Sequence, residues 1–222
     1  MNYILVDFEM NPIANEYKDL KKLCRQEIIE IGAVIMDESF LVLGEFKTLV
    51  KPQYNEIIFS KYETLTGIST NMVCGAPTFA TAYDMFADWC ESYGKDYEMY
   101  AWSDNDYKQL VAEMKLKKYT NPDKMGMLSK WYDFQKEYSS KLGLEKIISL
   151  EKALDYAGID FEGRMHDALC DAKNTAKLFA IVRDEERCNE VLKTVMEVLH
   201  PKQINSTLGE LFDFGKLMAQ IA

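Results

Sequence analysis

The stretch that most constrains this chain is Ile4-Leu5-Val6-Asp7-Phe8-Glu9, an apolar strand with two acids set into its end. Successive side chains of a strand point to opposite faces. Leu5, Asp7 and Glu9 therefore share one face, and Ile4, Val6 and Phe8 the other. Apolar on both sides, the segment reads as a buried central strand. Two carboxylates on one face of such a strand repel each other and lose hydration. A divalent cation between them removes both penalties, and magnesium or manganese prefers such hard oxygen ligands. On these residues alone, the alternative is a short strand whose acids both stand in water.

The remaining pattern supplies a sheet and its covering helices. Residues 27–36 are rich in β-branched side chains and read as a second strand. Asp37-Glu38-Ser39 turns the chain, and residues 40–50 offer a hairpin partner closed off by Pro52. Phe79, Tyr83, Phe86, Cys90 and Tyr93 recur at helical spacing, which predicts a helix started by Thr78 and ended by Gly94. A strand is expected over 97–102, then the polar cluster Ser103-Asp104-Asn105-Asp106 and a helix carrying Leu110, Val111 and Met114. Residues 117–127 read as a loop, and residues 128–134 as a fifth strand running into a helix. Ser149 starts a short helix stopped by Gly158, and residues 168–183 form a long one with Ala172, Ala176, Phe179 and Val182 as its core stripe. Strands clustered early and then alternating with helices predict an α/β fold, a mixed five-stranded sheet with helices on both faces. Residues 1–183 form the main domain. Residues 184–222 form a helical extension packed on that domain or on a partner, broken at Pro201, with capping-box spacing at Thr207 and Glu210.

Acids outnumber bases by 36 to 26, a net charge of −10. Coating long nucleic acid rests on many Lys and Arg contacts to phosphates, so that class is disfavoured. Gripping a strand end through a bound cation is not. The five cysteines, Cys24, Cys74, Cys90, Cys170 and Cys188, include no C-x-x-C pair. Neither a disulfide framework nor a zinc cluster is expected, and reduced thiols in a cytoplasmic protein are the reading adopted. No signal peptide and no membrane span are expected.

A third chemistry-bearing group is His166-Asp167-Ala168-Leu169-Cys170-Asp171, in a chain with two histidines. On a continuous helix a spacing of five puts His166 and Asp171 about 140° apart. They share a site if His166 sits in the preceding loop, Asp167 caps the helix and Asp171 follows one turn in. A cap role accounts for Asp167. For Asp171, the alanines lining the same helix bring it against the sheet. His200, beside Pro201, has no such partner.

In order, the motifs are D-x-E on the first strand, an Asp opening a middle helix, and H-x4-D opening a late helix. They resemble the DEDDh family of 3′-to-5′ exonucleases, most closely its Eri1/KapD-like branch. Val6-Asp7-Phe8-Glu9-Met10, residues 27–34, Thr66-Gly67-Ile68, Trp102-Ser103-Asp104-Asn105-Asp106 and residues 166–174 carry the resemblance, which covers roughly residues 1–183. It implies a ribonuclease H-like fold in which Asp7, Glu9, Asp106 and Asp171 hold two magnesium or manganese ions. It implies that His166 takes a proton from the attacking water. Asp106 is taken as the third ligand and Asp104, two residues earlier, as a helix cap. The resemblance also implies Phe8, Met10, Phe79, Tyr83 and Asn105 as residues around the terminal nucleotide, with core packing an equal account of Phe79 and Tyr83. The implied activity is hydrolysis at single-stranded RNA or DNA 3′ ends, releasing nucleoside 5′-monophosphates. A scavenger of very short oligonucleotides is a narrower form of that reading. The alternative is a non-catalytic nucleic-acid-binding or scaffolding module on the same fold. The sequence leaves the oligomeric state and the RNA-versus-DNA preference open.

Overall fold

The computed structural model describes residues 1–199. Its strands are β1 (Asn2–Pro12), β2 (Gln26–Met36), β3 (Val42–Leu49), β4 (Tyr97–Ala101) and β5 (Trp131–Asp133), in one sheet of order β3-β2-β1-β4-β5. The pairs β1–β2 and β2–β3 are antiparallel, and β1–β4 and β4–β5 are parallel. This is the mixed sheet expected from the sequence. The helices are α1 (Ser60–Thr66), α2 (Thr70–Val73), α3 (Phe79–Ser92), α4 (Asp104–Leu116), α5 (Pro122–Met125), α6 (Phe134–Lys141), α7 (Leu150–Tyr156), α8 (Ala168–Arg183) and α9 (Glu185–Leu199).

Alternation along β1 divides the core into two. Ile4, Val6 and Phe8 join a cluster with Phe79, Tyr83 and Phe86 of α3 and with Leu110 and Met114 of α4. Leu5 joins the opposite cluster, with Phe134 and Tyr138 of α6, Leu154 of α7 and Ala172, Ala176 and Phe179 of α8. Full burial of one such large side chain stabilises by about 1.5–3 kcal/mol, so both helical layers are held by many such terms.

β1 outruns its parallel partner, and this makes the site. Its ladder with β4 stops at Val6↔Ala101, while its ladder with β2 continues to Pro12↔Gln26. The strand is therefore longer than residues 4–9, and Asp7 and Glu9 lie within it; what ends beside them is β4. The first turn of α4 fills the flank that β4 leaves open. There Asp106 Oδ1 accepts the Phe8 N–H at 3.2 Å, in place of a ladder bond. A bulge follows Glu9, where the register steps from Glu9↔Glu30 to Met10↔Ile28. At this bulge the Ile28 N–H turns to the Glu113 carboxylate of α4, 2.8 Å away.

On the other face α8 lies against β2. A Cβ on Gly32 would overlap the peptide joining Ala168 to Leu169, so glycine is what lets the helix start so close. Ala168 and Ala172 match it from the helix side and are fully buried.

Two expectations change, and one placement left open is narrowed. The fifth strand is shorter than 128–134, because residues 126–130 wind into a 3-10 turn before it. The 117–127 loop contains α5, begun by Pro122 at a position where a missing N–H costs nothing. The extension begins with α9, whose Cys188 and Leu192 bury in the α8-side core, so its described part packs on the domain. The expected second helix, with Pro201, Thr207 and Glu210, and the placement of His200, lie outside the described residues. Among the described residues no helix is long and apolar enough to cross a membrane.

Candidate active site

Asp7 and Glu9 from β1, Asp106 from α4 and Asp171 from α8 converge, close enough for each carboxyl to feel the others. Asp7, Glu9, Asp171 and His166 open onto a cleft of about 350 Å³. Asp106 enters because Ser103 caps α4, accepting the Asn105 N–H at 3.3 Å, which leaves the aspartate one turn in, against β1. The sequence reading of Asp104 as the cap is corrected. It is a first-turn acid paired with Lys108 at 2.8 Å and Lys136 at 3.1 Å, whose hydrogen bonds hold its carboxyl below the usual range.

His166 sits in the loop before α8, as its spacing to Asp171 required. Its backbone φ is +59°, an uncommon left-handed conformation for a side-chain-bearing residue that costs of order 1–3 kcal/mol. Its N–H donates to Asp171 Oδ2 at 3.1 Å, and its ring Nδ1 lies 3.9 Å from Glu9 Oε1 with half the side chain exposed. Asp167 caps α8 by accepting the Cys170 N–H at 3.1 Å.

The electrostatics of this cluster are unbalanced. Among the described residues, no lysine or arginine pairs with Asp7, Glu9, Asp106 or Asp171. Burial, then repulsion from Asp171, Glu30 and Asp106, pushes Glu9 up to about 8. Asp7 is raised well above the carboxylate range by burial and by Asp106, Asp171 and Glu9. Burial also raises Asp106 and Asp171, against the opposing hydrogen bonds from the Phe8 and His166 N–H groups. Buried carboxylates without counter-charges are costly. Their oxygens are the hard donor set that magnesium and manganese take, and ligand atoms of Glu9, His166 and Asp171 all lie within 4.8 Å of one another. The residues present therefore fit divalent cations.

Sequence reasoning missed Glu30, which faces Glu9 across the β1–β2 ladder and is buried. Its Oε2 accepts the Ala168 N–H at 2.9 Å, and its Oε1 lies 3.3 Å from Lys47, which also hydrogen-bonds Asp167. The available signal was an acid inside the apolar run Ile28-Ile29-Glu30-Ile31, the same anomaly that marks Asp7. The cleft walls supplied by Trp102, Ser149, Leu150, Glu151, Phe161 and Met165 were missed too. These come from segments remote in sequence, and no local spacing announces them.

Phe8 and Met10 line the cleft. Phe79 and Tyr83 do not, and that expectation is corrected. Both are 1% exposed within the core under α3, and the Tyr83 hydroxyl is committed to the Lys124 carbonyl at 3.1 Å. Asn105 is exposed on the first turn of α4 and is not part of the cleft lining.

The RNase T family model, described as an exonuclease, matches residues 4–179. ERI1 exoribonuclease 2 of Danio rerio is 30% identical over 195 residues, covering 79% of this chain and 34% of that protein. Human 3′-5′ exoribonuclease 1 is 26% identical over 192 residues, covering 83% of this chain and 53% of that protein. The chain spans about a third to a half of the length of these curated relatives. Among solved structures, the nuclease domain of 3′hExo, a DEDDh family member bound to rAMP, aligns with a TM-score of 0.70 at 24% identity, over 83% of this chain and 92% of that one. E. coli exonuclease I in complex with a dT13 oligonucleotide aligns with a TM-score of 0.62 at 15% identity, over 98% of this chain and 45% of that one. These likenesses show the fold, which is ribonuclease H-like. The matched span runs from before Asp7 to beyond Asp171, and the chain belongs to the RNase T exonuclease family.

Proposed function

We propose that this chain is a metal-dependent 3′-to-5′ exonuclease that shortens single-stranded RNA from its 3′ end and releases nucleoside 5′-monophosphates. The observation that carries the reading is a cluster of four carboxylates, Glu9 and Asp106 buried and Asp7 and Asp171 half-buried, which no lysine or arginine among the described residues pairs and which lies at a cleft beside a half-exposed histidine. The relatives named exoribonucleases favour RNA over DNA, and the rAMP of the 3′hExo complex is of the expected product class.

Asp7, Glu9, Asp106 and Asp171 hold magnesium or manganese in this reading, two ions by the family pattern. Bound there, such ions lower the pKa of the attacking water and spread the charge on the phosphoryl and leaving oxygens. The chain supplies the rest. His166 takes the proton from the attacking water through its ring, and the bond from its own N–H to Asp171 fixes the loop that presents it. Leu150, Phe161 and Met165 give the terminal base apolar surfaces to pack on. Water attacks phosphorus, the P–O3′ bond breaks, and the 3′-oxygen of the shortened strand leaves and is protonated.

The test is a 5′-labelled single-stranded RNA incubated with the protein and manganese. A ladder receding from the 3′ end, with mononucleotides released, is expected. Internal cuts, or binding without shortening, would overturn the reading in favour of an endonuclease or a non-catalytic module. A DNA strand of the same sequence run in parallel reads the sugar preference.

A further inference from the structure

The Thr66-Gly67-Ile68 motif has no part in the acid cluster, yet it contacts the loop that carries His166. Gly67 closes α1 in a left-handed conformation, φ +77°, and its N–H returns to Glu63. The exposed Arg164 reaches across from the loop before α8. Its Nη2 donates to the Thr64 carbonyl at 2.9 Å and the Leu65 carbonyl at 3.3 Å, a hundred residues away in sequence. These are carbonyls that a helix end leaves without intrahelical partners. The guanidinium occupies the space a side chain at Gly67 would fill, since a Cβ there would overlap Arg164 Nη1.

The other end of the same loop is tied to α8. Asn174 Oδ1 accepts the Glu162 N–H at 3.0 Å, and its Nδ2 donates to the Glu162 carbonyl at 2.9 Å. Between that tie and the Asp167 cap run four residues, 163–166, and Arg164 is their anchor outside α8. Met165, next in line, walls the cleft, and His166 follows. The left-handed backbone at His166 has a cost that its surroundings must offset; the bond from its N–H to Asp171 Oδ2 lies on one side of it and the Arg164 anchor on the other.

We propose that Arg164, seated on the end of α1 in the space left by Gly67, is a positioning residue that fixes the His166 ring in the cleft. The proposal rests on the reading of His166 as the proton acceptor. It does not require the guanidinium to touch the strand.

The test uses the full chain. Two histidines give two ring Cε1–H signals, and His166→Ala identifies the one from His166. Arg164→Ala removes the anchor, whereas Gly67→Ala keeps the arginine and evicts it. Both are expected to move the His166 signal, with Arg164→Lys giving an intermediate shift. In RNA cleavage, both are expected to lower kcat about tenfold with KM within about twofold, as misplacement of a reacting group does. Adding Arg164→Ala to His166→Ala is expected to change the residual rate by less than about twofold. A His166 signal unmoved by either substitution overturns the proposal. So does a several-fold rise in KM, or a loss that multiplies in the His166→Ala background, because either result makes Arg164 a direct contact to the strand. The resonance measurement reads the placement of His166 whether or not RNA is cut, so failure of the nuclease reading and failure of this inference are separable.

Discussion

Glu27 at the start of β2 and Glu113 of α4 are fully buried and share one lysine; among the described residues the four acids Asp7, Glu9, Asp106 and Asp171 share none. Lys117 Nζ lies 2.9 Å from Glu27 and 2.7 Å from Glu113. Glu27 also accepts the backbone N–H groups of Gln53, Tyr54 and Asn55, and Glu113 those of Ile28 and the Gln109 amide. Every charge in that knot has a partner inside the chain, and it ties α4 and the segment after β3 to β2. Around Asp7, by contrast, Asp106 accepts the Phe8 N–H and Asp171 the His166 N–H, with no lysine or arginine among the described residues beside them. Both places gather carboxylates largely withdrawn from water, completely so at Glu27 and Glu113, nearly so at Glu9 and Asp106, and partly at Asp7 and Asp171. The supply of positive charge is what differs, and it separates acids that hold a fold together from acids that must be completed from solution.

The contrast breaks first at Asp7. Asp7→Asn is expected to lower kcat with saturating manganese by about 10³-fold or more, roughly 4 kcal/mol of transition-state stabilisation. The metal-free fold should be no less stable, because a repelled buried charge is removed; single-turnover kinetics and urea titration read the two effects. Lys117→Met should do the reverse. It leaves two buried carboxylates unpaired and is expected to destabilise by about 3–5 kcal/mol, with the rate per folded molecule retained. Equal urea midpoints for Lys117→Met and the native chain would erase the distinction between the clusters.

A smaller effect follows from pH. The carboxyls of Glu9, Asp7, Asp106 and Asp171 titrate higher in the folded chain than in the unfolded one, Glu9 near 8 against an ordinary 4.5. The unfolded chain therefore gives up these protons first as pH rises. Their contribution to stability is complete below about pH 4 and is lost progressively toward pH 8. Metal-free protein should melt roughly 5–10 °C lower at pH 8 than at pH 5, and manganese should remove most of that difference. A metal-free melting point that climbs over this range would contradict the direction. The smallest effect is at Asp104, an acid already paired with exposed lysines. Asp104→Asn should change stability by less than about 1 kcal/mol and leave cleavage essentially intact, whereas Asp106→Asn should resemble Asp7→Asn.

Much of this was legible in the sequence where the signal is local. Helix α8 begins and ends where its alanine stripe and Asp167 placed it, and the five-residue spacing of His166 and Asp171 put the first in the loop and the second one turn in. The face of Asp7 and Glu9 followed from strand alternation. What was not legible depends on partners distant in the chain. Glu30 matters because of its register with Glu9, which no single strand specifies. Phe79 and Tyr83 have the same helical spacing whether they line a pocket or a core, and only the face that α3 turns to the sheet decides. The cleft walls at Leu150 and Phe161 arrive through packing of α7 and of the connection after it.

The most direct measurement is an anomalous difference map from a crystal of the full chain grown with manganese. Peaks bounded by Asp7, Glu9, Asp106 and Asp171, and none at Glu27 and Glu113, are expected. An empty cleft at saturating manganese, or a peak displacing Lys117 instead, would contradict the claim that the unpaired acids are the ones that wait for a cation.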